Sequence, residues 1–242
     1  MTHPDKEIKG LNKPVILALE TATMCGSVAL IAENKCLAEF SLQTGETHSR
    51  RLLAGVDWLM QETGIGWPRI DAVAVSLGPG SFTGLRIGLA TAKGIAMAGD
   101  ANLIGVGTLD GLAAQLFATG EILICPVLDA RKKEVYTGFY RSDSQGIPRL
   151  MEEYLVISPG ALCERIDEPV VLLGDGATVY EDIFQEKLGG LLHMVSPIVY
   201  FPRAATIGLL ALAKWQKDEF LDPATAGPIY IRPSEAELLF GK

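Results

Sequence analysis

The amino-acid sequence predicts an α/β protein folded in two lobes, and three observations carry the prediction. Short apolar runs of strand length open the chain one after another. Strand and helix patterns then alternate, and the same succession returns in the second half. A length of 242 residues accommodates two lobes of ordinary size as readily as one large domain.

Met1 to Lys13 is polar and unpatterned and reads as a loose tail, residues 1–13. Val15–Glu20, Gly26–Ala32 and Lys35–Leu42 read as three consecutive strands, an antiparallel meander. His48–Thr63 has helical period and is stopped by Gly64 and Pro68. Ile70–Ser76 is a strand that feeds the turn Gly78-Pro79-Gly80-Ser81 and a long helix, Thr83–Ala98. A short strand, Leu103–Val106, and a helix, Thr108–Leu116, follow. Glu121–Asp129 and Glu134–Arg141 form a hairpin across Ala130-Arg131-Lys132-Lys133. Val170–Leu173 is a strand that runs into Gly174-Asp175-Gly176-Ala177 and a helix, Ala204–Asp218 is the last helix, and Pro223–Lys242 is a tail with three prolines. The expected organisation is an N-terminal lobe over 14–107, a C-terminal lobe over 108–222, and a tail over 223–242.

Composition narrows the function classes. Hydrophobic residues make up 48% of the chain and mean hydropathy is +0.26, which leaves apolar surface to spare for a large core or a partner. Lys and Arg total 21 against 29 Asp and Glu, and a charge of −8 argues against gripping a phosphate backbone unaided. If RNA is involved, another molecule must supply the positive surface. No apolar run can span a bilayer: Phe82–Gly99 comes closest but carries Arg86 and Lys93. The N-terminus lacks the apolar run of a secretory signal, so a cytoplasmic location is expected. Cys25, Cys36, Cys125 and Cys163 lie far apart, which suits buried thiols better than a disulfide framework or zinc knuckle.

Two helices carry signs of a partner. In His48–Thr63, Leu52, Leu53, Val56, Leu59 and Met60 fall on one arc, while Arg50, Arg51, Gln61 and Glu62 lie opposite. Trp58 sits among the polar residues, as a lone surface aromatic or as a contact anchor. In the helix from Thr83, Gly84, Gly88, Ala92 and Ala96 recur at every fourth position, and Ala90, Gly94 and Ala98 form a second stripe. Glycine inside a helix costs about 0.5–1 kcal/mol relative to alanine, so close approach of another backbone has to compensate. One stripe suits the chain's own sheet, and the other suits a second chain.

Three loops have the form of anion sites: Leu19 to Ser27 with Thr21 and Thr23, Leu77 to Gly84 with Gly78, Gly80 and Ser81, and Leu173 to Ala177 with Gly174 and Gly176. None is followed by the Gly-Lys-Ser/Thr of a Walker A loop, and any one alone reads as glycines turning the chain. Taken in order, they resemble the two-lobed nucleotide-binding fold of the actin, Hsp70 and sugar-kinase superfamily, with mixed sheets flanked by helices. Finer matches narrow the resemblance. The run VSLGPGSFTGLRIGLATAKGIA, Val75 to Ala96, is similar to the signature of the TsaB family. LALETAT at Leu17–Thr23, Thr47-His48-Ser49, LDARKKEVY at Leu128–Tyr136 and YIRPSEAE at Tyr230–Glu237 support it by their order.

The resemblance implies a supporting role in building threonylcarbamoyladenosine on tRNA. A catalytic relative, TsaD, transfers the threonylcarbamoyl group from its adenylate to the adenosine beside the anticodon of ANN-decoding tRNAs. An ATPase, TsaE, docks on the TsaB–TsaD pair. tRNA would reach this chain only through the complex, and the isolated chain would form homodimers by the same face. On that footing Leu52, Val56, Trp58, Leu59, Arg86, Gly88, Leu89 and Lys93 are expected to bind the partner, and the three loops are vestigial. The catalytic relative holds metal with two histidines four residues apart; the matching positions here are Thr108 and Leu112. Leucine has no lone pair, threonine is a poor ligand, and His3, His48 and His193 have no ligand spacing. No metal, cofactor or catalytic residue is expected.

Two rival readings rest on the same residues. A stand-alone ATP-dependent phosphotransferase of the superfamily would use acids at strand ends, with Glu20, Asp129 and Asp175 as candidates, and would lose ATP turnover on Glu20→Ala. A peptidase would need an activated nucleophile, with Ser81 and His48 as candidates, yet Ser81 reads more simply as a helix N-cap. Cys25 lacks a cationic activator among its neighbours Met24 and Gly26.

Overall fold

A computed structural model describes residues 13–43, 48–116 and 122–232, and the chain divides into two compact units. The first holds the described residues up to Gly107 together with Arg203–Pro228; the second holds Thr108–Pro202 and the described residues from Ile229 onward.

The first unit is built on five strands: β1 (Val15–Glu20), β2 (Cys25–Ala32), β3 (Lys35–Gln43), β4 (Ala72–Ser76) and β5 (Asn102–Val106). They lie in the order β3-β2-β1-β4-β5. β1 to β3 form the expected antiparallel meander, and β4 and β5 join parallel, with Ala18 opposite Ala74 and Ala74 opposite Ile104. Every residue of β1 and β4 is buried because helices cover both faces of the sheet. Side chains alternate along a strand, so the two faces differ. Val15, Leu17 and Leu19 point to α1 (His48–Thr63) and α2 (Phe82–Gly99), in a core with Val28, Leu59 and Leu89. Ile16, Ala18, Ala29 and Ala74 point to the opposite face, with Ile207 and Ala211.

That opposite face is covered by the last helix, Ala204–Trp215, labelled α7 for its place in chain order. The expectation that residues 108–222 form one C-terminal lobe is therefore corrected: the chain returns to the first unit at Arg203. The physical reason is the row of small residues on β1, β2 and β4, which leaves room for a helix backbone. A Cβ on Gly208 would collide with Ile31. Polar ties fix the return: Ala204 N–H donates to Ser27 Oγ (2.9 Å), Ala205 N–H to Glu39 Oε1 (3.0 Å) and Arg203 Nε to Glu39 Oε2 (2.9 Å). Residues 223–228 are no tail either. Leu221 bridges antiparallel to Leu103 at the β5 edge, and Ala226 packs on the core beneath α1 and α2. Residues 1–12 and 233–242, most of the two expected tails, lie outside the described residues.

The second unit contains α3 (Thr108–Ala113), β6 (Leu123–Asp129), β7 (Val135–Thr137), β8 (Tyr140–Ser142), β9 (Pro148–Leu150), β10 (Leu155–Ile157), α4 (Pro159–Cys163), β11 (Val170–Leu173), α5 (Asp175–Val179), α6 (Glu181–Leu188) and β12 (Leu192–Met194). The sheet path is β10-β7-β6-β11-β12, with β8 bonded to β6 and β9. The expected single strand Glu134–Arg141 is two short pieces that pass through Gly138, where a Cβ would stand 2.9 Å from Leu150 Cδ1.

Candidate partner interface and the loops behind it

The turn after β1 and the turn before α2 are packed into each other. Glu20 is fully buried, and its Oε1 accepts the Ala22 N–H at 2.5 Å. This holds the Thr21–Ala22 peptide in place. Ala22 O then accepts the Ser81 N–H at 2.7 Å, and Thr21 Oγ1 donates to Gly84 O at 2.8 Å. The glycines follow from this closeness. A Cβ on Gly80 would stand 2.5 Å from Ala22 O, one on Gly84 would collide with Thr21 O, and one on Gly88 with Thr21 Oγ1. Ser81 is the N-cap of α2 and accepts the Gly84 N–H at 3.2 Å. Thr21, Ser81, Gly80, Gly84 and Gly88 thus serve one internal joint. Thr23 Oγ1 lies beside it, bonded to Cys25 N and O at 3.3 Å, and Gly78 takes the left-handed φ of 122° that turns the chain.

Burial raises the Glu20 carboxyl to about 7, against the pull of the Ala22 N–H bond. The Ser76 hydroxyl, buried beside it, also pulls the value down, by less than burial raises it.

Most of the expected contact residues belong to the chain's own core, and those expectations are corrected. Leu52, Val56, Leu59 and Leu89 are 0–5% exposed and pack against the sheet. Gly88 faces Thr21, so the Gly84–Gly88–Ala92–Ala96 stripe is the internal one. Leu53, grouped with them on one arc from the sequence, points out at 53% exposure. Gly55 does the inward work there, since a Cβ on it would stand 3.0 Å from Phe40 Cδ1.

The outer surface of the two helices carries exposed apolar side chains, beside the polar Asp57, Gln61 and Glu62 on α1. Leu53 and Trp58 are exposed on α1, and Trp58 leans on Phe40 of β3 with ring centroids 5.9 Å apart. On α2, Met97 is 72% exposed, Ala90, Gly94 and Ala98 are exposed, and nothing lies within 4 Å of a Cβ placed on Gly94. Arg86 is exposed at the start of this surface, stacked 3.7 Å over Phe82, and Lys93 is half-buried on it. Of the residues expected to contact a partner, Trp58, Arg86 and Lys93 lie where one could reach them, and Leu53 and Met97 are exposed on the same two helices. The side chains of His48 to Arg51 lie outside the described residues.

In the second unit, Gly174 and Gly176 close on β6: a Cβ on Gly174 would collide with Val127 O, and one on Gly176 would stand 3.0 Å from Asp129 N. The acids there are committed. Asp175 Oδ1 accepts the Asp129 N–H (3.0 Å), while Asp129 accepts from Arg131 N–H (2.9 Å) and Tyr180 OH (3.2 Å) and pairs with the Arg131 guanidinium (3.2 Å). Burial raises the Asp175 carboxyl above its usual range. Thr108 and Leu112 are buried on α3, and among the described residues no group of three or more His, Cys, Asp or Glu is arranged to hold a metal.

Cys125 and Cys163 are buried as expected, but Cys25 is half-buried and Cys36 is exposed. Burial raises all four thiols, Cys125 to about 12, which keeps them protonated and poorly nucleophilic.

Comparison with known proteins places this architecture. Residues 42–239 match the family model described as TsaD: tRNA N6-adenosine threonylcarbamoyltransferase. The chain is 32% identical over 225 residues to the tRNA threonylcarbamoyladenosine biosynthesis protein TsaB of Escherichia coli, covering 91% of this chain and 96% of that one. Among solved structures, YeaZ from Pseudomonas aeruginosa superposes with a TM-score of 0.76 at 30% identity, over 90% of this chain and all of that one. The Acidaminococcus fermentans (R)-2-hydroxyglutaryl-CoA dehydratase component A, at 11% identity and a TM-score of 0.52 over 83% of this chain and 98% of that one, shares the fold alone. The fold is that of the actin, Hsp70 and sugar-kinase type. With a family model spanning most of its length and a relative matched nearly end to end, the chain belongs to the TsaB family of tRNA threonylcarbamoyladenosine biosynthesis proteins, within the wider TsaD-type grouping.

Proposed function

We propose that this chain serves tRNA threonylcarbamoyladenosine synthesis as a docking subunit, with the transfer chemistry carried out by a TsaD-type partner. The observation that carries the reading is the set of exposed apolar side chains on α1 and α2. Leu53, Trp58 and Met97 stand exposed beside a stripe of small residues, Ala90, Gly94 and Ala98, that is itself exposed among the described residues. A buried helix face needs apolar residues for its own core. An outer face gains from them only when another surface covers it. Ala90, Gly94 and Ala98 would let a partner helix approach closely.

The alternative, a stand-alone phosphotransferase, is not favoured. Its candidate acids are committed to backbone and side-chain partners, and the two loops it would use in the first unit fill each other. In this reading the TsaD-type transferase covers α1 and α2, and the TsaE-type ATPase docks on the pair. A second copy of this chain takes the same face when the partner is missing, and tRNA meets the chain within the complex. The site of action is the cytoplasm; among the described residues no helix is long and apolar enough to cross a membrane.

The test is size-exclusion of this chain mixed with its TsaD-type partner. Leu53→Glu combined with Met97→Glu should abolish co-elution while leaving the circular dichroism and melting curve of the isolated chain unchanged. Undiminished co-elution of that double variant sinks the assignment.

A further inference from the structure

We infer that the turn joining β6 and β7 is this chain's own contact for the phosphodiester backbone of the RNA substrate. The inference rests on the proposed role in tRNA modification. Arg131, Lys132 and Lys133 form this turn with φ of 62°, 54° and 62°. Among the described residues it is the one place where three successive non-glycine residues adopt the left-handed conformation. Each carries a steric penalty that glycine would avoid and asparagine would reduce, so hairpin closure alone does not call for long cationic side chains here.

The turn is held rigid from both sides. Ala130 N–H donates to Glu134 O and Glu134 N–H to Arg131 O, both at 3.0 Å, and Asp129 Oδ1 accepts the Arg131 N–H at 2.9 Å. Arg232 fastens the base, with Nη1 2.6 Å from Glu134 Oε2 and Nη2 donating to Ala130 O at 2.7 Å.

Charge is layered across the turn. Beneath it, the Asp129 side chain is 11% exposed and bonded to Arg131 and Tyr180, and Asp175 is bonded to Asp129 N–H. Outside stand the Arg131 side chain, 79% exposed, with Lys132 and Lys133 also exposed. An approaching polyanion meets cations first, while carboxylates that would repel it are paired below them. On a chain of charge −8, such a patch supplies a few phosphate contacts and no binding by itself, which suits a subunit that touches RNA beside a more basic partner.

The experiment uses the assembled pair of this chain with its TsaD-type partner and an unmodified ANN-decoding tRNA. Lys132→Asn/Lys133→Asn removes charge while asparagine tolerates the left-handed backbone; Lys132→Arg/Lys133→Arg keeps the charge. The asparagine variant should bind tRNA about tenfold more weakly near physiological salt, and the slope of log K against log salt should shrink by about 1.5. The arginine variant should restore both. In the wild-type complex, photo-cross-linked tRNA should map to the peptide holding residues 131–133, a readout independent of any variant's folding. Unchanged affinity and slope in an intact pair, or cross-links elsewhere only, overturn the inference and leave the docking role standing. Failure of the wild-type chain to pair at all overturns the docking role and this inference with it.

Discussion

The two sides of α2 are made of the same residue types for opposite reasons. On the inner side, Gly84 and Gly88 lie where any Cβ would strike Thr21, and Ala92 and Ala96 continue that contact into the core. On the outer side, a Cβ on Gly94 would meet nothing within 4 Å among the described residues, and Ala90 and Ala98 are exposed. The inner glycines are compensated within the chain, while the outer one carries its helix penalty uncompensated unless another surface arrives. α1 repeats the contrast: Leu52, Val56 and Leu59 are buried, and Leu53 and Trp58 are exposed beside them. Small or apolar residues on a helix do not by themselves say which neighbour they await; the neighbouring atoms do.

The largest expected effect is on the inner side. Gly84→Ala should destabilise the chain by about 3 kcal/mol or more, because the new Cβ meets the Thr21 carbonyl, which is backbone and not the end of a flexible side chain. A melting-temperature drop on the order of 6–12 °C would register it, and a fall of under 2 °C would show that the joint yields.

Next comes the pH dependence that Glu20 imposes on the same joint. Its folded value of about 7 lies above the ordinary 4.5, so the folded state holds the proton across that window. The stabilisation is complete below about 4.5 and is lost as pH rises through 7, amounting to as much as about 3 kcal/mol. Glu20→Gln, which keeps an oxygen for the Ala22 N–H, should flatten the melting temperature between pH 5 and pH 8.5 and raise it at the alkaline end. Parallel pH profiles for the two proteins would contradict this.

Two changes on the outer side are expected to be milder for the fold. Trp58→Ala should weaken pairing with the TsaD-type partner by about 2 kcal/mol, roughly thirtyfold, measured by titration calorimetry. The monomer should lose less, since the indole is 47% exposed and leans on Phe40. Gly94→Ala should stabilise the isolated chain by up to about 1 kcal/mol and weaken pairing. If it stabilised the monomer and left pairing unchanged, the outer stripe would not be a close-approach surface.

Much of this fold was legible. Continuous apolar runs marked β1, β4 and β11, and helical period with Gly64 as a stop fixed α1 from His48 to Thr63. The short pieces between 148 and 163 were not read, although Ser158 followed by Pro159 is an N-cap signal and does cap α4. Strands of three residues have too few positions for a period to emerge. The return of α7 to the first unit escaped because chain order carries no information on which sheet a late helix covers; the alanines at 18, 29, 72 and 74 were the available sign. The contact residues were the least legible. A helical wheel grouped Leu52, Val56 and Leu59 on one arc but did not say which way the arc faced, and it could not separate Leu53, which is exposed. An anchor list drawn from helix membership mixed core with surface, so a variant such as Leu59→Arg would test folding, not docking.

The most direct measurement is tRNA threonylcarbamoylation reconstituted from purified TsaD-type and TsaE-type proteins with this chain added last. Modification should depend on the wild-type chain, fail with this chain alone, and fail with a Leu53→Glu/Met97→Glu variant whose melting temperature matches wild type. Modified adenosine formed by this chain in isolation, or full activity with that variant, would contradict a role exercised through the outer face of α1 and α2.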